Sequence, residues 1–210
     1  MTRTQEKARS GKVVKPVGDP RAKTQIRFAG FGGQGIVLAG KILGQAAALF
    51  EGADAVMTQN YGPEARGGVC SADVIISTAR IHYPRVAAPD VLVLMAEEAA
   101  RTYGPNTASD AVILVNEGLV KTIPQGPGLR VFTVPATSIA EKLGNVVMAN
   151  VVMLGFVAAV TRVVGCDAMK EALLQSIPPG TEKMNLAAFQ AGFDHGAVRS
   201  AHGEPERETS

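Results

Sequence analysis

Four glycines fall within six residues in Gly30-Phe31-Gly32-Gly33-Gln34-Gly35, directly after the mostly apolar run Ile26-Arg27-Phe28-Ala29. A strand that turns on glycines into a helix leaves backbone N–H groups unpaired at one point, and the helix dipole adds positive character there. Such a turn can hold an anion. Glycine is needed where φ is positive and where a phosphate must approach the backbone closely. Positions 30, 32 and 35 fit G-x-G-x-x-G, the dinucleotide fingerprint, which on its own is a weak signal. Gln34 adds a neutral donor and acceptor at the mouth of the turn. The alternative is a tight turn that only packs a helix on a sheet.

A second constellation, Tyr61-Gly62-Pro63-Glu64-Ala65-Arg66-Gly67-Gly68, follows the second apolar segment. It belongs at the carboxyl edge of the sheet, where open α/β folds bind ligands. Arg66 suits an anion; alternatively it pairs with Glu64 inside its own turn. A third constellation is Leu143-Gly144-Asn145 followed by Asn150. Asn145 is placed to cap a helix. Asn150 lies deeper in an apolar segment, where a buried amide needs a partner. NAD calls for an acid at the end of the second strand, and that strand ends in Thr58-Gln59-Asn60, so NAD is disfavoured. His82, His195 and His202 are scattered, and no carboxylate cluster or nucleophile elbow is present. A good ligand edge without catalytic groups suggests one subunit of something larger.

The elements that must position these residues alternate. The patterning predicts strands at 25–29, 54–58, 71–77, 90–95, 111–115 and 130–134, and helices at 35–50, 97–103, 136–143, 146–164, 167–176 and 181–193. Val91-Leu92-Val93-Leu94 and Val112-Ile113-Leu114-Val115 are apolar on both faces, as in buried parallel strands. The expected fold is α/β, a doubly wound, mostly parallel, Rossmann-like sheet with C-terminal helices, and the segment 69–83 reads as an inserted hairpin. Residues 1–23 are charged and poor in large apolar groups; they read as a disordered or partner-binding arm, 24–195 as the domain and 196–210 as a flexible tail.

The 210-residue chain is 46% hydrophobic and 19% charged, a globular composition. A net charge of +2 spread along the chain speaks against nucleic acid. Cys70 and Cys166 stand far apart with no C-x-x-C, too few for an iron–sulfur cluster on this chain. They read as reduced thiols of a cytoplasmic protein. The apolar run Val151 to Val160 is too short to span a bilayer and reads as a buried helix, with a neighbouring subunit as one possible cover.

Together, Gly30 to Gly35, Tyr61 to Gly68, Ser77 with Ile81-His82-Tyr83-Pro84, Pro89-Asp90-Val91-Leu92, and Leu143-Gly144-Asn145 with Asn150 resemble the gamma subunit of 2-oxoacid:ferredoxin oxidoreductases. The wording of the second loop is nearer the 2-oxoglutarate and aryl-glyoxylate types than the pyruvate type. The resemblance implies oxidative decarboxylation of a 2-oxoacid with coenzyme A to acyl-CoA, carbon dioxide and reduced ferredoxin or NAD. It implies thiamine diphosphate, Mg2+ and [4Fe–4S] clusters on alpha, beta and ferredoxin-like delta partners, with a flavin/NAD subunit as a possible addition. It places coenzyme A against Phe31, Gly32, Gly33, Gln34, Gly35, Glu64, Arg66, Asn145 and Asn150. Tyr61, Gly62, Pro63, Gly67 and Gly68 fall on a loop or partner interface. The competing readings are a standalone NAD(P)-dependent reductase and a non-catalytic scaffold.

Overall fold

The computed structural model describes residues 23–62 and 68–202. The arm 1–22, the loop residues 63–67 and the end of the tail, 203–210, lie outside it. Six strands form one sheet: β1 (Thr24–Phe31), β2 (Asp54–Tyr61), β3 (Val69–Ser77), β4 (Val91–Leu94), β5 (Val112–Asn116) and β6 (Arg130–Val134), in the spatial order β2-β3-β1-β4-β5-β6. β1, β4, β5 and β6 pair in parallel. β3 runs antiparallel between β1 and β2, so the sheet is mixed, with every strand except β3 pointing the same way. The segment 69–83 is therefore not itself a hairpin, since 69–77 is a single strand and 80–83 lie in none; the hairpin is the β2–β3 pair. It is inserted on the outer side of β1, and it makes β2 an edge strand rather than the parallel neighbour of β1.

The helices are α1 (Ile36–Gln45), α2 (Glu97–Tyr103), α3 (Ala136–Lys142), α4 (Ala149–Thr161), α5 (Cys166–Leu174) and α6 (Glu182–His202). One face of the sheet, carrying Ile26, Phe28, Val91, Val93, Leu114 and Val134, packs against α1, α3, α4, α5 and α6. The opposite face, carrying Ala29, Leu92, Leu94, Ile113 and Val115, packs against α2 and the segment containing Val120. Helices on both faces explain why β4 is apolar at every position and buried at all of them.

Three element boundaries differ from the sequence expectation. The α1 segment changes to a π-helical turn over Ala46–Phe50. The apolar segment begins as a 3-10 turn, Val146–Met148, and α4 then ends at Arg162, whose φ of 53° is left-handed. α6 continues to His202, through residues expected to be tail. Its Gly192 and Gly196 lie inside the helix. They face α4, where a Cβ on Gly196 would stand 2.8 Å from the Ala159 Cβ, and one on Gly192 would overlap the Val152 carbonyl. All thirteen residues of α4 are buried. They are covered by α6, α3, α5, α1 and the sheet of the same chain, so α4 needs no second subunit to leave water.

Candidate functional site

The carboxyl ends of β1, β4, β5 and β6 meet at one edge, and β2 ends there too, because Tyr61 and Gly30 both lie opposite Cys70. The glycine turn closes with Gln34 N–H donating to the Phe31 carbonyl at 3.1 Å. Gly33 and Gly35 have φ of 96° and 72°, and Gly35 is the N-cap of α1. A Cβ at Gly30 would stand 2.5 Å from Gln34 Oε1 and 2.7 Å from Ile36 Cδ1, so this position needs glycine for space rather than for φ.

Gln34 points inward, not to the mouth as the sequence suggested. Its Oε1 accepts the Phe31 N–H at 2.7 Å, and its Nε2 donates to the Met95 carbonyl at 3.1 Å. The carboxamide therefore shapes the turn and ties it to the end of β4. Gly32 N–H donates to the Gly68 carbonyl at 3.1 Å, and Gly62 N–H to the Val69 carbonyl at 2.9 Å. The two glycine-rich loops are thus joined directly, which the sequence showed only as a shared edge. The N–H groups of Gly35, Ile36 and Val37 have no protein partner among the described residues. Unpaired N–H groups at the N-terminus of a helix favour an anion.

Asn150, only 6% exposed, sits on the first turn of α4. Its Nδ2 donates to the Gly35 carbonyl at 3.4 Å, and its Oδ1 has no protein partner among the described residues. It thus reaches the N-terminus of α1. Asn145 does what the capping alternative describes: its Oδ1 accepts the Val147 N–H at 3.0 Å. Around this edge Phe31, Tyr61, Val146 and Val147 are exposed, Val147 by 66%. Glu64, Arg66, Pro63 and Gly67 lie outside the described residues.

Sequence reasoning missed three contributors. The Met95 carbonyl has no side-chain signature. Asn116, fully buried at the end of β5, donates from Nδ2 to Thr137 Oγ1 at 2.9 Å, and its Oδ1 accepts the Thr137 N–H at 3.3 Å. This pair ties β5 to the start of α3. Glu97 opens α2, a position where acids are expected. Its carboxylate accepts Lys121 N–H at 2.6 Å, Thr122 N–H at 3.0 Å, the Thr122 hydroxyl, and Arg101 Nε at 3.2 Å. Chiefly the Thr122 hydroxyl, then the backbone donors, hold it down to a pKa of about 2.

Glu97 also bears on NAD. The parallel neighbour of β1 is β4, and the acid that follows it, Glu97, has its oxygens already engaged by residues 101, 121 and 122. Of the two thiols, Cys70 is buried in β3, and burial pushes its pKa up, the opposite of what activates a nucleophile. Among the described residues no group of three or more His, Cys, Asp and Glu could hold a metal ion, and no helix is long and apolar enough to cross a membrane.

Residues 25–195 match the family described as pyruvate ferredoxin/flavodoxin oxidoreductase. The chain belongs to this family. A 2-oxoglutarate synthase subunit KorC from Methanothermobacter marburgensis is 45% identical over 176 residues, covering 81% of this chain and 95% of that one. The keto/oxoacid ferredoxin oxidoreductase gamma subunit from Geobacter sulfurreducens is 35% identical with a TM-score of 0.75, over 83% of this chain and 99% of that one. A 2-oxoglutarate:ferredoxin oxidoreductase from Magnetococcus marinus, with 2-oxoglutarate, coenzyme A and succinyl-CoA bound, gives a TM-score of 0.76 over 84% of this chain and 31% of that one. At 20% identity it speaks for the fold alone. The relatives are subunits of oxidoreductase complexes, and the family's α/β fold is the one seen here.

Proposed function

We propose that this chain is the gamma subunit of a cytoplasmic 2-oxoacid:ferredoxin oxidoreductase of the 2-oxoglutarate type, and that its carboxyl edge binds the phosphates of coenzyme A. The observation that carries the reading is the Gly32–Gly68 hydrogen bond, which brings both glycine loops to the unpaired N–H groups of α1. Those donors hold an anion, and Arg66, on the loop between Gly62 and Gly68, adds the positive charge that a phosphate ester favours. Glu64 lies on the same loop. Phe31, Gly32, Gly33 and Gly35 form the wall, Asn150 closes it from α4, and Gln34 sets its shape. Asn145 contributes by fixing the turn before α4. The exposed Phe31, Tyr61, Val146 and Val147 rim is where another subunit closes the cleft, with Tyr61, Gly62, Pro63, Gly67 and Gly68 at the boundary.

The 2-oxoacid is bound and decarboxylated on partner subunits. Thiamine diphosphate with Mg2+ supplies the carbanion chemistry and [4Fe–4S] clusters the electron path when bound there, on alpha, beta and delta subunits, with ferredoxin or NAD as the acceptor. This chain's two cysteines sit on β3, where Cys70 lies opposite Gly30, and at the start of α5. The test is to co-express the chain with its neighbouring subunits and measure acyl-CoA formation and coenzyme A binding with and without it. Equal coenzyme A affinity in a complex lacking this chain would overturn the proposal.

A further inference from the structure

One exposed arc at the opposite, amino edge of the sheet is held at both ends. It lies in the connection from β3 to β4. Ala79 N–H donates to Ser77 Oγ at 3.0 Å, and Ile81 N–H to Asp54 Oδ2 at 2.7 Å. At its far end Val86 is buried, and its carbonyl accepts Arg27 Nη2 at 2.8 Å. Arg27 is itself buried; its Nε and Nη2 donate to the two carboxylate oxygens of Asp73, each at 2.7 Å. Its guanidinium lies 5.1 Å from the Tyr103 ring centre. A buried ion pair is a poor source of stability compared with an apolar pair. Here it does something an apolar pair could not: a guanidinium N–H fixes the Val86 carbonyl and with it the end of the arc.

Between these anchors Arg80, His82, Tyr83, Pro84 and Arg85 stand exposed, Tyr83 by 63%. Neither arginine has an ion-pair partner among the described residues. Tyrosine and arginine are the residue types that dominate interface energetics. A loop already fixed in place gives up less entropy on docking. The arginines call for carboxylates. The chain's own residues 1–22 are the wrong sign, with Arg3, Lys7, Arg9, Lys12, Lys15 and Arg21 against Glu6 and Asp19.

We propose that residues 80–85 dock an acidic surface of another subunit of the same enzyme, at the edge of the sheet away from the coenzyme A site. The inference rests on the reading of this chain as a subunit. The test compares the wild-type chain, Arg80→Glu/Arg85→Glu, Arg80→Gln/Arg85→Gln, Tyr83→Ala and, as a control on α6, Lys183→Glu, each co-expressed with the other subunits. Subunit dissociation is measured by analytical ultracentrifugation over a range of salt, with circular dichroism to check the fold. The charge-reversed variant is expected to assemble at least about tenfold more weakly, and Tyr83→Ala about tenfold. The neutralised variant should weaken assembly and lose most of its salt dependence, while Lys183→Glu matches wild type. Wild-type affinity and salt dependence in both double-arginine variants would overturn this surface while leaving the subunit reading standing. A wild-type chain that joins no other subunit would overturn both.

Discussion

The side-chain amide of Asn150 donates to the carbonyl of Gly35 at 3.4 Å, joining the first turn of α4 to the N-cap of α1. A Cβ on Gly35 would overlap that same amide, and the φ of 72° already disfavours any side chain. Gly35→Ala should therefore lose about 1–2 kcal/mol from the left-handed backbone alone, plus the displacement of Asn150. Asn150→Ala removes the overlap. In a double-mutant cycle followed by denaturant unfolding, the double variant should lose less than the sum of the single losses. Additive losses would mean that the two residues do not share this space. In the assembled enzyme Gly35→Ala should also raise the coenzyme A KM, if the turn it distorts carries the anion donors as proposed.

Arg66 is the residue-level test of the phosphate site. Arg66→Ala should raise the coenzyme A KM by one to two orders of magnitude, taking a charge-assisted contact as roughly 1.5–3 kcal/mol. The 2-oxoacid KM should change little, because decarboxylation precedes the step that consumes coenzyme A. If Arg66 instead pairs with Glu64 or a partner's acid, the variant loses assembly or stability and keeps its coenzyme A KM. Steady-state kinetics on material shown intact by size exclusion separates the outcomes.

Glu97 gives the molecule a pH signature with a definite sign. Its carboxylate is held at about 2 against an ordinary value of 4.5, first by the Thr122 hydroxyl and then by the Thr122 and Lys121 N–H groups. A depressed acid adds stability above its unfolded pKa and loses it as pH falls toward the folded value. The melting temperature of wild type should therefore exceed that of Glu97→Ala by a constant margin above about pH 5, and the margin should shrink between about pH 4.5 and 2. A margin that grows on acidification would contradict the assignment. Because the group is at the surface, added salt should narrow the margin at neutral pH as well.

Much of this was legible because the strands are buried on both faces. An all-apolar stretch such as Val91-Leu92-Val93-Leu94 leaves little choice but an inner parallel strand. The lateral order was not legible. Nothing in Asp54–Tyr61 distinguishes a strand beside β1 from one a strand further out, since pairing is decided by β3. At the carboxyl edge, the glycine turn was legible by residue type and spacing. The direction of the Gln34 amide was not: a polar side chain in a turn can face the ligand or the turn, and the choice was made by the Phe31 N–H and the Met95 carbonyl. The role of Gly192 and Gly196 was not legible either: their small size serves the crossing of α4 and α6.

That crossing supplies the most severe stability prediction. A Cβ on Gly155 of α4 would overlap the Phe189 carbonyl, and one on Gly192 of α6 would overlap the Val152 carbonyl. Both obstacles are backbone atoms inside helices, so no rotamer change can relieve them; the helices must move apart. Separation would open gaps around Phe156 and Phe189, both fully buried. Gly155→Ala and Gly192→Ala should each cost about 3 kcal/mol or more, at or beyond the upper end of ordinary overpacking. Gly33→Ala is the contrast. Its Cβ would meet nothing within 4 Å, and only its φ of 96° resists the change, so its loss should stay near 1–2 kcal/mol. Denaturant unfolding of the three variants checks the order. Losses in Gly155→Ala and Gly192→Ala no larger than that of Gly33→Ala would show that the helix crossing is looser than its geometry implies.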